Sequence, residues 1–141
     1  MKQNVLLDTG VLVAFVNQRE NFHPWALNQW RMINPPLLTC EAVITEACFL
    51  LHHVYGGEEA VMGLVSGGTI QIPFRLSDEI GRVKELMNQY QNVPMSLADG
   101  CLVRMSELIK GSCVLTLDSD FRVYRKNRNQ MIDLIIADDL K

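Results

Sequence analysis

The sequence predicts a three-layer α/β fold, in which helices flank a central parallel sheet of about five strands. Three observations favour it: short β-branched or leucine-rich runs, helical apolar patterns between them, and Gly or Pro residues at the junctions. Strands that alternate with helices are typical of a parallel sheet covered on both faces. We predict one domain spanning residues 1–141, because a chain of this length can bury one hydrophobic core.

The predicted elements follow in order, and each has a local signal. Pro24 favours a helix start, Pro35-Pro36 end that helix, Thr39 is a plausible N-cap of the next one, and Gly111 ends the last one. The predicted strands cover residues 5–7, 37–38, 69–72, 113–115 and 131–136. The predicted helices cover residues 10–17, 21–33, 40–55, 58–65, 76–90 and 96–110.

Apolar spacing also predicts which helix faces point to the core. In the third helix these positions are Val43, Ala47, Leu50 and Val54, and in the fifth they are Ile80, Val83, Leu86 and Met87. Trp25 and Trp30 are five residues apart, which favours a place in the core or at a dimer surface over a base-stacking platform.

The composition is typical of an ordered soluble protein, with 48 % hydrophobic and 21 % charged residues. A net charge of −3 does not indicate general nucleic-acid binding, although a local basic patch is compatible with it. Asp8 interrupts the apolar stretch after Met1-Lys2, which excludes a signal peptide, and no apolar run reaches the ~18 residues of a membrane span. The cysteines have no C-x-x-C spacing, which predicts reduced thiols in a cytoplasmic protein: Cys40, Cys48, Cys101 and Cys113.

Five acidic residues lie at positions where a polar side chain requires a structural or functional explanation. Asp8 follows the first strand, and Glu46 lies about 60° from the centre of an apolar helix stripe. Asp99 is in the first turn of a helix, while Asp118 and Asp120 follow the strand at residues 113–115. Taken singly, each has a common structural explanation: a helix cap, a surface glutamate, a capping box with the serine three residues earlier, or turn residues.

Taken together, these acids predict a metal site. Asp8 and Asp118 would share one edge of a parallel sheet, and Asp99 would lie near it. Clustered carboxylates repel one another, and a hard divalent cation such as Mg2+ or Mn2+ relieves that repulsion. Thr9 and Thr116 add hydroxyls that could orient a carboxylate or a metal-bound water. Such a site suits hydrolysis of phosphodiester bonds by a metal-activated water.

In four acidic motifs the chain resembles a PIN-domain ribonuclease, and most closely a small VapC-type toxin of a bacterial or archaeal toxin–antitoxin pair. The order and spacing of the matching pieces fit over essentially the whole chain. These pieces are Leu7-Asp8-Thr9, Ile44-Thr45-Glu46-Ala47, Ser96-Leu97-Ala98-Asp99 and Thr116-Leu117-Asp118-Ser119-Asp120-Phe121.

The resemblance implies a catalytic metal site and a substrate class. Asp8, Glu46, Asp99 and Asp118 would hold Mg2+ or Mn2+, with Thr116 and Asp120 assisting. The activity would be endonucleolytic cleavage of tRNA, rRNA or mRNA, with an antitoxin as partner and a homodimer as assembly. The chain departs from the family at two places: Gly10 replaces a frequent Ser or Asn, and His52-His53 stand where many relatives carry basic residues.

Other functions are weaker or remain open. Leu6-Leu7-Asp8-Thr9-Gly10 matches the motif of retroviral-type aspartic proteases, but those are all-β proteins. A phosphatase of the haloacid dehalogenase type would need an aspartate at position 10. A housekeeping RNA-processing PIN nuclease stays open, and so does a non-catalytic PIN-like domain that binds RNA or protein.

A basic run follows the last acids and could hold RNA phosphates beside the metal site. It contains Arg122, Arg125, Lys126 and Arg128, with Tyr124 among them. A solvated surface loop explains the same run equally well.

Overall fold

The computed structural model describes residues 1–138 of the chain. Within them, five strands form a parallel sheet, and a further two form a separate antiparallel hairpin. The strands are β1 (Val5–Leu7), β2 (Leu37–Leu38), β3 (Ile70–Gln71), β4 (Cys113–Thr116), β5 (Arg125–Lys126), β6 (Gln130–Met131) and β7 (Leu134–Ile136). The order in the sheet is β3-β2-β1-β4-β7, which confirms the predicted fold class.

The helices lie between successive strands, as the sequence predicts. They are α1 (Thr9–Val16), α2 (His23–Arg31), α3 (Glu41–Leu50), α4 (Gly57–Ser66), α5 (Leu76–Gln89) and α6 (Leu97–Leu108), followed by a 3-10 helix (Ser119–Arg122). The central strands β1 and β4 are buried along their whole length. Strands covered by helices on both faces are apolar throughout, which explains why both read as uninterrupted hydrophobic runs.

The register of β1 against β4 places two polar side chains side by side. Leu7 pairs with Leu115, so Asp8 and Thr116 stand next to each other just beyond that pair. The backbone N–H of Asp8 donates to the carbonyl of Leu115 at 3.1 Å, which extends the ladder to the acid itself. The carboxyl ends of the two central strands therefore meet at one edge of the sheet.

Two predictions about α3 are wrong. The helix ends at Leu50, not at residue 55, and Leu50 is 49 % exposed instead of buried. Residues 51–56 form turns, so His52 and His53 lie in an exposed turn and not on a helix. In the sequence, the apolar spacing continues past Leu50, and no glycine or proline interrupts it before Gly56. The sequence therefore contains no local signal for the end of the helix.

Thr39 is not the N-cap of α3, because Cys40 takes that position without a side-chain cap. The Thr39 hydroxyl, which is fully buried, instead donates to the carbonyl of Leu7 at 2.8 Å. It ties the end of β2 to the last residue of β1, directly before Asp8. Ile80 on α5, which like Leu50 is predicted to face the core, is 52 % exposed, so that prediction is also wrong.

The C-terminal part differs most from the prediction. The expected strand at residues 131–136 is divided between β6, which pairs with β5, and β7, which joins the sheet beside β4. The hairpin turns through Asn127 and Arg128, whose φ angles are 48° and 75°. Three of the four basic residues of the run, Arg125, Lys126 and Arg128, therefore lie in a hairpin.

Other expectations agree with the structure. Trp30 stacks on Phe15 with ring centroids 3.7 Å apart, and Trp25 packs against the core. All four cysteines are free, and three of them are buried. None of the helices among residues 1–138 combines the length and apolar character needed to cross a membrane.

Candidate active site

A cavity of about 440 Å3 opens at the carboxyl edge of the central strands. Four of the predicted acids line it, and within residues 1–138 no lysine, arginine or histidine does so. The lining consists of Asp8, Thr9, Gly10, Glu46, Phe49, Leu50, Ser96, Asp99, Leu117 and Asp118. Four separate parts of the chain thus bring carboxylates to one acidic cavity.

Asp8 is the most constrained of these acids. It is 6 % exposed and is the N-cap of α1, where its Oδ1 accepts a hydrogen bond of 2.8 Å from the Thr9 amide. Its Oδ2 accepts one of 2.6 Å from the Thr116 hydroxyl. Both oxygens of the carboxylate are therefore held in place by neighbouring groups.

Glu46 reaches the cavity from α3, and its position depends on Thr9. The Thr9 hydroxyl donates to Glu46 Oε1 at 2.8 Å, while its amide binds Asp8. No donor among the described residues reaches the other oxygen of Glu46. The first residue of α1 thus positions two of the four acids.

Asp99 and Asp118 are held by the caps of the helices that they begin. Asp99 and Ser96 form a capping box at α6, with two reciprocal hydrogen bonds of 3.1 Å. Asp118 caps the 3-10 helix and accepts a hydrogen bond of 2.9 Å from the Asp120 amide. The helix cap considered for Asp8 and the capping box considered for Asp99 are therefore present, and these caps hold carboxylates that line the cavity.

The electrostatics show that the acids are close enough to interact. Burial raises the pKa of Asp8 to about 7, and the charges of Asp99 and Asp118 add to this shift against the hydrogen bonds from Thr116 and Thr9. Burial also raises the pKa of Asp99, with further contributions from Asp118 and Glu46. Uncompensated negative charge of this kind favours the binding of a cation.

The two remaining predicted site residues do not line the cavity. Thr116 is fully buried beneath it and acts on Asp8 and Asp118 through hydrogen bonds. Asp120 lies two residues after Asp118, in the first turn of the 3-10 helix, where burial and the charge of Asp118 raise its pKa. A direct role for Asp120 in metal binding stays a prediction.

The donor set fits a hard divalent cation in its chemistry, because it offers carboxylate and hydroxyl oxygens without a thiol or an imidazole. Among residues 1–138, however, no three His, Cys, Asp or Glu side chains stand close enough to enclose an ion as they are. Glu46 and Asp118 each keep one carboxylate oxygen that no described protein donor engages.

The sequence did not indicate several residues of the site. Phe49 and Leu50 line the cavity and are 79 % and 49 % exposed, because α3 ends here. Tyr124 is fully buried and donates to the carbonyl of Pro94 at 3.2 Å, which braces the segment before Ser96. Burial raises the pKa of Tyr124, and the charges of Asp99, Asp120 and Asp118 raise it further. In the sequence, Tyr124 is marked only by its place within the basic run that follows Asp120.

The chain is similar in structure to the VapC20 toxin of Mycobacterium tuberculosis, described as cleaving the sarcin–ricin loop, with a TM-score of 0.70 and 19 % sequence identity. That match covers 84 % of this chain and 93 % of the VapC20 chain, and at this identity it shows the fold. No curated protein matches the sequence. The family model of the PIN domain matches residues 5–127, and the chain therefore belongs to the PIN domain family.

Proposed function

We propose that this protein is a divalent-metal-dependent endoribonuclease that hydrolyses phosphodiester bonds of RNA, and that it is the toxin of a toxin–antitoxin pair. One observation carries the proposal: four carboxylates from separate segments line one cavity whose lining residues include no cation. A phosphate group would be repelled by such a cavity, so a bound cation is needed to bring substrate and acids together. Membership in the PIN family and the fold of VapC20 support the same activity.

In the proposed site, Asp8, Glu46, Asp99 and Asp118 hold Mg2+ or Mn2+. When bound, the ion lowers the pKa of a water molecule and stabilises the leaving oxygen. The chain supplies orientation, because Thr9 and Thr116 fix the carboxylates of Glu46 and Asp8 through their hydroxyl groups. Ligand orientation by such neighbouring hydrogen bonds is a common requirement of metal sites.

Phe49 and Leu50 form an exposed apolar wall next to the acids. A partner that carries apolar and basic side chains would match this combination, and we propose an antitoxin as that partner. We further propose that the protein is cytoplasmic and forms a homodimer, as the resemblance to VapC-type toxins implies. Light scattering of the purified protein tests the dimer.

The activity is tested by incubating purified protein with total tRNA and with ribosomal RNA, which includes the sarcin–ricin loop. Mg2+ or Mn2+ should support cutting, and EDTA should abolish it. Asp99→Asn should lower cutting at least about 100-fold, because the amide keeps the cap geometry but loses the ligand charge. Asp78→Asn is the matched control, since Asp78 lies in the first turn of α5 and away from the cavity.

Undiminished cutting by Asp99→Asn would contradict the assignment of the acids. Absence of cutting by the wild-type protein, together with no binding of Mg2+ or Mn2+ by calorimetry, would favour a non-catalytic binding domain instead.

A further inference from the structure

The basic segment at residues 122–128 stands out against the charge of the molecule. It carries four of the chain's thirteen lysines and arginines and no acid, while the whole chain has a net charge of −3. The remainder of the chain is therefore distinctly acidic. An RNA strand directed to the acidic cavity needs a positive surface, and this segment provides a local one.

The members of this segment do not have the same role. Arg125 is used within the protein, because its Nη1 donates to the carbonyls of Arg122, Val123 and Tyr124 at 2.7, 3.0 and 3.2 Å. Lys126 and Arg128 have no ion pair and no side-chain hydrogen bond with any of residues 1–138. Lys126 is partly exposed and Arg128 is exposed, so both ammonium and guanidinium groups are available to a ligand.

Arg128 also occupies an unusual backbone conformation for its residue type. Its φ angle is 75°, in the left-handed region that favours glycine. A non-glycine residue there costs about 1–2 kcal/mol. An arginine at this position of the hairpin turn is therefore not explained by the needs of the turn, which suggests that its charge serves a function.

The hairpin is held rigidly to the helix that carries Asp99. The amide of Asn127, in the turn, donates to Glu107 Oε2 at 2.6 Å, and the amide of Arg125 donates to the Tyr90 hydroxyl at 2.9 Å. Glu107 is itself fixed, because its carboxylate binds the guanidinium groups of Arg82 and Arg104. These hydrogen bonds attach the hairpin to α6 through Glu107 and to the end of α5 through Tyr90.

The distance between the basic turn and the acidic cavity, measured along α6, follows from the rise of that helix. Glu107 is eight residues after Asp99 on α6, which corresponds to about 12 Å along the axis at the rise of an α-helix. Successive phosphates of a stacked nucleic-acid strand advance about 3.4 Å along its axis. A strand that ran along α6 with its scissile phosphate at the acids would therefore pass the turn about three or four nucleotides away.

We propose that Lys126 and Arg128 form a phosphate-binding subsite of the RNA substrate, about three or four nucleotides from the bond that is cut, with Glu107 as the residue that positions it. This inference rests on the proposed function, and it adds where the substrate strand runs. The subsite recognises the phosphate backbone and confers no base specificity by itself.

The test measures binding of fluorescent oligouridylates of 4, 8 and 12 nucleotides in Mg2+, in an Asp99→Asn background whose cutting should be at least about 100-fold slower. The variant is Lys126→Gln with Arg128→Gln. The control is Arg19→Gln with Lys84→Gln, which removes the same charge from two exposed residues elsewhere. A second variant, Lys126→Arg with Arg128→Lys, keeps the charge and checks that the hairpin tolerates substitution.

With the 12-mer, the Gln variant should bind about tenfold more weakly than the control, and the difference should widen from the 4-mer to the 12-mer. The slope of log affinity against log salt should become shallower by about 1.4, or about 0.7 for each lost phosphate contact. The charge-preserving variant should bind like the control.

Binding by the Gln variant that equals the control at every length would overturn the subsite. A loss of the same size at every length would also overturn it, because the contact would then not be at a distance from the acids. If the wild-type protein cuts RNA while these results hold, the proposed function stands without the subsite. If the wild-type protein neither cuts RNA nor binds oligouridylate, both proposals fail.

Discussion

The hydroxyl of Thr116 donates a hydrogen bond of 2.6 Å to Asp8 Oδ2, and so the end of β4 orients the carboxylate at the end of β1. The Thr116 hydroxyl oxygen also accepts a hydrogen bond of 2.9 Å from the amide of Asp118. One buried side chain, 108 positions away from Asp8 in the sequence, thus couples two of the four acids. The effect of the Thr116 hydroxyl on the site can be separated by mutation from the packing of the Thr116 side chain.

Thr116→Val removes the hydroxyl but keeps the shape of the side chain. We expect cutting to fall by about 10- to 100-fold and half-saturation by Mg2+ to move to a higher concentration, as is usual when a group that orients a metal ligand is lost. The measurement is a Mg2+ titration of RNA cleavage. Thr116→Ser restores the hydroxyl and should recover most of the activity, and failure of this rescue would mean that packing was responsible.

The raised pKa of Asp8 should make the protein less stable as the pH increases. The folded-state pKa is about 7, against 3.8 for the unfolded chain. Between these two values the folded protein holds a proton that the unfolded chain has released. The free energy of unfolding therefore falls from pH 4 to pH 7, by ~1.4 kcal/mol per pH unit. Asp8→Asn should lack this part of the pH dependence.

Thermal melts in EDTA from pH 4 to pH 8 measure this effect. The Tm of Asp8→Asn should exceed that of the wild-type protein increasingly up to pH 7, and addition of Mg2+ should raise only the wild-type Tm strongly at neutral pH. Asp78→Asn should follow the wild-type protein. Parallel melting curves for Asp8→Asn and wild type would show that the burial of Asp8 does not penalise its charge.

Glu107 should contribute to stability at neutral pH. Burial alone would raise its pKa, but the hydrogen bonds from Arg82, the Asn127 amide and Arg104 outweigh it and lower the pKa. A depressed folded-state pKa stabilises the protein above the unfolded value of 4.5, and this contribution is lost as the pH falls through the folded-state pKa. Glu107→Ala removes the carboxylate that Arg82 and Arg104 share, while Arg104 keeps Glu79 and Arg82 keeps the exposed Glu85, and it should cost about 1.5–3 kcal/mol near pH 7.

Urea unfolding of wild type and Glu107→Ala at pH 7 and pH 3 gives the comparison. The difference should shrink at pH 3, where the wild-type carboxylate is increasingly protonated. Glu85→Ala is the control, because Glu85 contacts Arg82 at 3.6 Å from an exposed position and such pairs contribute little. An equal loss at both values of pH would assign the effect of Glu107 to packing.

Gly10 lines the cavity within α1, and an alanine should fit there. An added Cβ would meet only the Leu117 Cβ, at an ordinary contact of 3.7 Å. Gly10→Ala should therefore raise the free energy of unfolding by about 0.5–1 kcal/mol, because glycine is unfavourable in a helix, and it should leave cutting intact. Gly63→Ala in α4, where nothing would contact the new Cβ, should give a similar gain. A loss of cutting in Gly10→Ala alone would show that the cavity needs the space.

The sequence allowed the sheet and most helices to be predicted because their signals are local. The strand Val5–Leu7 and the first three residues of the strand Cys113–Thr116 are apolar runs, and the helix Leu97–Leu108 begins with the capping box of Ser96 and Asp99. The prediction of α3 was wrong because apolar spacing continued beyond its last residue, Leu50. The hairpin was missed because two strands of two residues each have no periodicity to recognise.

The sequence by itself determined the fold class, since alternating apolar runs and amphipathic helices have few ways to bury their apolar surface other than a covered parallel sheet. It also determined which acids were candidates, because helix caps and strand ends are marked by nearby residues. Only the tertiary structure decided that the hydroxyl groups of Thr9, Thr39 and Thr116 donate to Glu46, Leu7 and Asp8, respectively. These contacts join residues 32 to 108 positions apart. Strand register and the packing of α1 on α3, which no local pattern encodes, bring them within hydrogen-bond distance.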